Sequence, residues 1–374
     1  MAVTCRKICD IMEGIAPGAL AMDYDNVGLL VGDLDASVDR VLVALEVTQD
    51  VIDEAVRLGA DMIVTHHPLM LRPVGRLTKG AGDAGLAYRL AREGICHFAA
   101  HTNLDVAPGG VNDALAARLG LKNVRRLQPY YEKGYRKLVV FVPPTHAQKV
   151  QEALFAAGAG RIGAYGKCSF SVTGRGTFEV PKDAKPYLGA PGNFEQVEEI
   201  RLETIVPGYL LDAAVAAMLR VHPYEAPAYD VYALEACPEG MGLGRVGDLT
   251  TPMALSAFAR LAARALGCEG VRVAGDETAL VACAAVCGGS GNGLVDAAAR
   301  QGAGVFVTGE LKHSECLHAA ELGVGLILAG HYSTEAVVLP ELIRHLQNGL
   351  DTLEYTVELV LSGHSHELRW IGGE

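Results

Sequence analysis

Two adjacent histidines, His66 and His67, follow the apolar run Met62-Ile63-Val64 almost directly and stand immediately before Pro68. Imidazole nitrogen ligates borderline metal ions and carries protons near neutral pH. A short apolar run between a helical pattern and a turn reads as a strand buried on both faces, and proline ends its ladder. Both rings are thus expected at the carboxyl end of a parallel strand, where open α/β sheets bind ligands. Successive strand side chains point to opposite faces, but at a strand's end two neighbours can splay around one cavity. The pair can then hold two ions, or one ion and a substrate. The plain alternative is a solvated pair at a turn. The functional reading gains because the chain repeats the pattern.

Residues 95–100 form another apolar run, ending in His101-Thr102-Asn103-Leu104-Asp105. Far downstream, 325–329 ends in Gly330-His331-Tyr332-Ser333-Thr334-Glu335. The i, i+4 spacing of His331 and Glu335 places both on one face of the helix that opens there. With His66, His67 and Asp105 they make three imidazoles and two carboxylates. That donor set suits zinc, iron, manganese or nickel and excludes none of them. Carboxylates bridge, and either Asp105 or Glu335 can do so here. Five ligands are therefore enough for two divalent ions about 3.5–4 Å apart, an arrangement that activates water. His101 lies one residue past a strand and four before Asp105, which leaves open a sixth ligand, a proton carrier, a hydrogen-bonding partner of a ligand, or a turn residue. Asp25-Asn26 reads equally as support for a metal ligand or as an Asx turn.

The elements that must position these groups alternate. A helix is expected over 3–16, with Ile8, Ile11, Met12 and Ile15 as its apolar stripe. A strand over 41–47 is followed by Thr48 as N-cap of a helix to Leu58. The histidine strand, a loop carrying Arg72, Arg76 and Lys79, a helix over 85–93 and the strand 95–100 come next. Strand, helix, strand, helix, strand is the signature of a parallel sheet. From about residue 128 to 238 the texture changes to β-α-β-β-α-β, the order of a ferredoxin-like module. Its motif His222-Pro223-Tyr224-Glu225-Ala226-Pro227 reads as a proline-bracketed turn, with a lid or oligomer contact as the alternative. The parent texture resumes from 239, where a strand over 280–286 runs into Cys287-Gly288-Gly289-Ser290-Gly291. That glycine run is expected to be a loop able to hold an anion on backbone amides. The tail adds a strand over 356–361 and then Gly363-His364-Ser365-His366. The outer segments echo each other: IVTHH (63–67) resembles VFVTGE (305–310), and FAAHTNLD (98–105) resembles LAGHYSTE (328–335). The expected architecture is therefore α/β, with two related halves over 1–127 and 239–374, mainly parallel sheets, and an inserted α+β module over 128–238.

Composition narrows the class. The chain has 374 residues, half of them apolar, 44 glycines and a net charge of −12. That charge argues against general binding to nucleic-acid backbones, which requires a basic stripe. No apolar run approaches bilayer-spanning length, and MAVTCRKICD has no signal-peptide core. Nine cysteines without framework spacing suit a reduced cytoplasmic protein.

The motifs DYDNVGLLVGD, VTHHPLM, HTNLD, CGGSG, VTGELKH and GHYSTE together resemble those of the type 2 GTP cyclohydrolase I homologues, the Nif-three-like family. The resemblance covers nearly the whole chain, and the middle segment resembles the PII-like or CutA-like insertion of longer members. It implies two divalent ions per subunit on His66, His67, Asp105, His331 and Glu335, and a toroidal homohexamer with the sites facing an internal cavity. It also implies a metal-dependent hydrolase acting on a nucleotide-like substrate, in which His101 or Glu310 would carry protons. A non-catalytic metal-binding or regulatory oligomer is the alternative. This chain has Tyr24 where the family usually has Trp, and Glu46 where Asp is common.

Overall fold

The computed structural model describes residues 3–130, 134–183 and 185–364. The chain divides into two compact units, Met1–Pro129 with Gly240–Glu374, and Tyr130–Glu239. Ser365 and His366, noted in the sequence, lie outside the described residues. Among the described residues no helix is long and apolar enough to cross a membrane.

The first unit contains two sheets. One has five strands in the order Gly28–Val31, Cys96–Ala99, Met62–Thr65, Arg40–Ala44, Glu358–Leu361. All its pairings are parallel except that of Gly28–Val31 with Cys96–Ala99. The other has six, in the order Arg272–Ala274, Gly325–Leu328, Val305–Glu310, Leu280–Ser290, Gly242–Ala254, Lys122–Pro129. Here the expectation of mainly parallel pairing fails, because three of the five pairings are antiparallel. One of the three comes from the short edge Arg272–Ala274, and the other two from Lys122–Pro129 and Gly242–Ala254, which carry no clear strand signal. The first holds Lys122, Arg125 and Arg126 on a largely exposed edge, and the second is broken by glycines and Pro252. They pair antiparallel with Pro129 opposite Gly242, so the second unit departs from and returns to neighbouring strand ends.

The two sheets share a plan. In each, three strands successive in the chain run parallel side by side (the five-stranded sheet adds Glu358–Leu361 as a fourth). The third of them is flanked by a short antiparallel edge, and it leads into a five-residue helix, Thr102–Val106 or His331–Glu335. The central strands are buried because their residues are apolar on both faces. Met62–Thr65 and Cys96–Ala99 are buried throughout. Leu42, Ile52, Ile63 and Leu90 form one core, and Phe306, Leu326, Val295 and Val246 another. Each such side chain contributes about 1.5–3 kcal/mol on burial. Thr48 caps the helix Gln49–Leu58 by accepting from Val51 N, and Gly59 at φ 64° ends it in the left-handed conformation. The chain then turns directly into the histidine strand.

The second unit is a four-stranded antiparallel sheet with helices Ala147–Ala156 and Leu211–Val221. Taking its strands in chain order as first to fourth, they lie 2-3-1-4 across the sheet, the ferredoxin-like arrangement. His222 accepts from Tyr224 N at 3.1 Å on Nδ1 and donates to the Phe141 carbonyl at 3.0 Å on Nε2. Its motif is thus a turn whose histidine is fully satisfied.

Candidate metal centre

The cluster assembles where strands of both sheets end. His67 N still reaches the Leu45 carbonyl at 2.8 Å, and Ala100 N the Thr65 carbonyl at 2.9 Å, so the two ladders run on to the point where the histidines emerge. His66 is fully buried and His67 about a quarter exposed.

Four imidazoles share one orientation. Each has Nδ1 engaged from outside the cluster: His66 by the Ala100 carbonyl at 2.9 Å, His67 by Glu46 Oε2 at 3.0 Å, His101 by Asp25 Oδ1 at 3.0 Å, and His331 by Glu310 Oε1 at 3.3 Å. Outer partners of this kind fix the ring and leave Nε2 as the inward donor atom. Ring centroids lie 5.1 Å apart for His66–His67, 5.2 Å for His66–His101 and 5.5 Å for His67–His331.

Glu335 sits among them. It is buried, with Oε2 at 2.8 Å from His67 Nε2 and 3.1 Å from His331 Nε2, and Oε1 at 3.7 Å from His66 Nε2. Asp105 Oδ1 also lies 3.7 Å from His66 Nε2. Both His66 Nε2 and Asp105 Oδ1 are buried without a hydrogen-bond partner. A separation of 3.7 Å is too long for a hydrogen bond. It is close to the roughly 3.4 Å expected between two atoms holding one ion at about 2.1 Å. Ligand atoms of His66, His67 and His101 fall within 4.8 Å of one another, as do those of His67, His331 and Glu335. Both groups can hold a metal ion, and they share His67.

The electrostatics follow from who faces whom. Burial disfavours charge on His67, but the Glu335 and Glu46 carboxylates prevail and raise it to about 9. His66 is also raised, with burial opposed by Asp105 and Glu335. Burial works against the Glu335 carboxylate, yet the surrounding imidazoles hold it well below its usual range. Asp105 has no imidazole at hydrogen-bond distance, so burial dominates and lifts it to about 6.

Every sequence-expected residue lies at this place: His66, His67, Asp105, His331 and Glu335 in the cluster, His101 in one of the two trios, and Glu310 behind His331. Asp25 serves as support, since it orients His101 and accepts from Thr102 N at 3.0 Å; its bond to Asn26 N at 2.8 Å spans one residue and not the two of an Asx turn. The expected glycine loop is corrected. Cys287–Ser290 continues the strand, and Gly289 N donates to Thr334 Oγ1 at 3.0 Å, so that amide is not offered to an anion. Gly289 instead makes room, because a Cβ there would stand 2.1 Å from Glu335 Oε1. Sequence reasoning missed Asn112, whose amide donates to the Asp105 carbonyl at 2.9 Å and accepts from Gly288 N at 3.0 Å. Nothing in its local pattern marks it beyond a polar residue inside an apolar helix.

A mixed α/β protein whose sheet ends gather imidazoles and carboxylates able to hold a metal ion defines the class. Within that class, residues 3–367 match the family model described as Duf34/NIF3 (NGG1p interacting factor 3), and the chain belongs to that family. A Bacillus subtilis (strain 168) relative is 39% identical over 361 residues, covering 96% of each chain. A Mycobacterium tuberculosis relative is 40% identical over 339 residues, covering 90% of this chain and 89% of its own. Both bear the name GTP cyclohydrolase 1 type 2 homolog. Among solved structures, a Bacillus cereus protein described as related to NIF3 matches with a TM-score of 0.80 at 39% identity over 100% of both chains.

Proposed function

We propose that the chain holds two divalent ions on His66, His67, Asp105, His331 and Glu335, and that it is a cytoplasmic metal-dependent hydrolase of a nucleotide-like substrate. The observation that carries the metal reading is the pair of unpartnered buried atoms, His66 Nε2 and Asp105 Oδ1, 3.7 Å apart within the cluster. Orphaned buried polar atoms are costly unless something satisfies them. Nitrogen with carboxylate donors fits zinc, iron, manganese or nickel. Such ions supply Lewis acidity and a more acidic water. The chain's own groups then orient His66, His67 and His331 through Ala100, Glu46 and Glu310, while protons move at His101 Nε2, whose ring Asp25 holds, and at Glu310, whose carboxylate is exposed.

Three cations support an anionic substrate. Arg72, Arg76 and Lys79 follow His67 on an exposed loop, and none forms an ion pair among the described residues. Asn26 Nδ2 holds that loop's root through the Met70 carbonyl at 2.5 Å. Tyr24, 64% exposed, offers a ring nearby for stacking. The relatives' name speaks for a nucleotide in the same sense. We read the assembly as a homohexamer, and the Tyr130–Glu239 unit as PII/CutA-like on the strength of its strand order.

The rival is a non-catalytic metal-binding or regulatory oligomer. Incubating a panel of nucleotides, GTP included, with and without added divalent metal separates the two. Metal-dependent product from at least one is expected. Stoichiometric metal with no product from any favours the rival.

A further inference from the structure

The Tyr130–Glu239 unit contains a cavity of about 870 Å³, in the size range of small-molecule sites, roughly 300–1,000 Å³. Its wall combines Tyr135 at the start of one strand, Phe155 at the end of a helix, Tyr209 in the turn before the next helix, and Arg161 and Lys167 from the intervening loop. Glu152 and Glu239 complete the polar lining. Tyr135 and Tyr209 are partly buried, yet among the described residues neither hydroxyl makes a hydrogen bond, and neither Arg161 nor Lys167 forms an ion pair. Burial raises both phenols, helped at Tyr135 by the Glu239 carboxylate, and the Arg161 charge acts on both in the opposite sense.

The loop is built to hold this wall. Lys167 adopts φ 58°, a left-handed conformation that costs a non-glycine residue energy and persists where surroundings impose it. At Gly160 a Cβ would stand 2.7 Å from the Phe155 ring and 2.9 Å from the Cys168 carbonyl, so only glycine lets the loop close on that ring. Aromatic walls with a few convergent polar groups lacking protein partners are what a ligand site consists of. No trio of metal ligands occurs there among the described residues.

We propose that this cavity binds a small, flat aromatic anion. The ring packs against Tyr135, Phe155 and Tyr209, the anionic group meets Arg161 and Lys167, and Glu239 or Glu152 accepts from an N–H in the ring or on an amino group it carries. Two sources share that chemistry, a nucleoside monophosphate and an aromatic carboxylate.

Calorimetric titration of the full chain with AMP, GMP, anthranilate and inorganic phosphate tests it. At least one aromatic anion is expected to bind in the micromolar range, and which one identifies the source. Arg161→Gln with Lys167→Gln should weaken it about tenfold or more, with melting temperature and metal content unchanged. Tyr209→Leu, or Phe155→Leu should that variant not fold, should weaken it roughly fivefold or more. Failure of every probe to bind at millimolar concentration overturns the site. So does unchanged affinity in the double variant, or inorganic phosphate binding as tightly as the aromatic ligands.

Discussion

Gly289 shows how closely the cluster is drawn. Its φ of 58° suits glycine, and an added Cβ would meet Glu335 Oε1 at 2.1 Å and His331 Nε2 at 3.0 Å. Gly289→Ala should therefore cost about 1–2 kcal/mol of backbone strain and push Glu335 aside. Metal affinity should fall roughly 10–100-fold, by analogy with lost outer partners, which metal titration followed by elemental analysis reads directly. The two-segment site makes a companion prediction. His331→Ala and Glu335→Ala should each lower bound metal as much as His66→Ala, because either segment alone offers too few ligands for a closed shell. Full metal content in His331→Ala would show that the site is confined to the first segment. The histidines were readable in the sequence because they stand at the ends of strong apolar runs. Asn112 was not, since its role depends on Gly288, which is distant in the chain. Glu46 appeared only as a departure from a family pattern, yet its carboxylate anchors His67.

At the scale of elements, what the sequence marks well are strands buried on both faces. Met62–Thr65 and Val305–Glu310 are apolar runs with polar ends, and both position the cluster. Edge strands such as Lys122–Pro129 escape notice because their pairing partners, not their own residues, make them strands. The strand Cys96–Ala99 contains a less visible feature. His97 is fully buried, with Nε2 on Thr65 Oγ1 at 2.8 Å and Nδ1 unpartnered. Burial lowers it to about 3. The unfolded chain, with an ordinary value of about 6.5, then takes up the proton first as pH falls. Stability from this residue is whole above pH 6.5 and is lost progressively between about 6.5 and 3. Going from pH 7 to 5 should cost about 2 kcal/mol through His97 alone. Urea unfolding at the two pH values, in the wild type and in His97→Leu, measures it, and an equal acid loss in both proteins would clear His97 of the effect.

At the scale of the whole chain, the second unit hangs from a hairpin of the first. Pro129 and Gly242 are register partners, so residues 130–241 can be replaced by a two-residue Asn-Gly turn without shifting the sheet. The shortened protein should stay soluble and bind as much metal per chain as the original, as size-exclusion chromatography and elemental analysis would report. Insoluble or metal-free products across a series of linker lengths would mean that the first unit does not stand alone.

That hairpin also sets a closure cost. Zipping Lys122–Pro129 onto Gly242–Ala254 through a disordered excursion of this length costs about 3 kcal/mol more in closure entropy than a short turn does. Within the second unit, however, Tyr135 N reaches the Ala236 carbonyl at 2.8 Å, and Arg136 pairs with Ala233. Once that unit has folded, its two ends lie side by side and the excursion shrinks to a few residues. The middle of the chain is thus a clasp in the thermodynamic sense: with it folded, most of the closure cost of the six-stranded sheet's outer edge is already met.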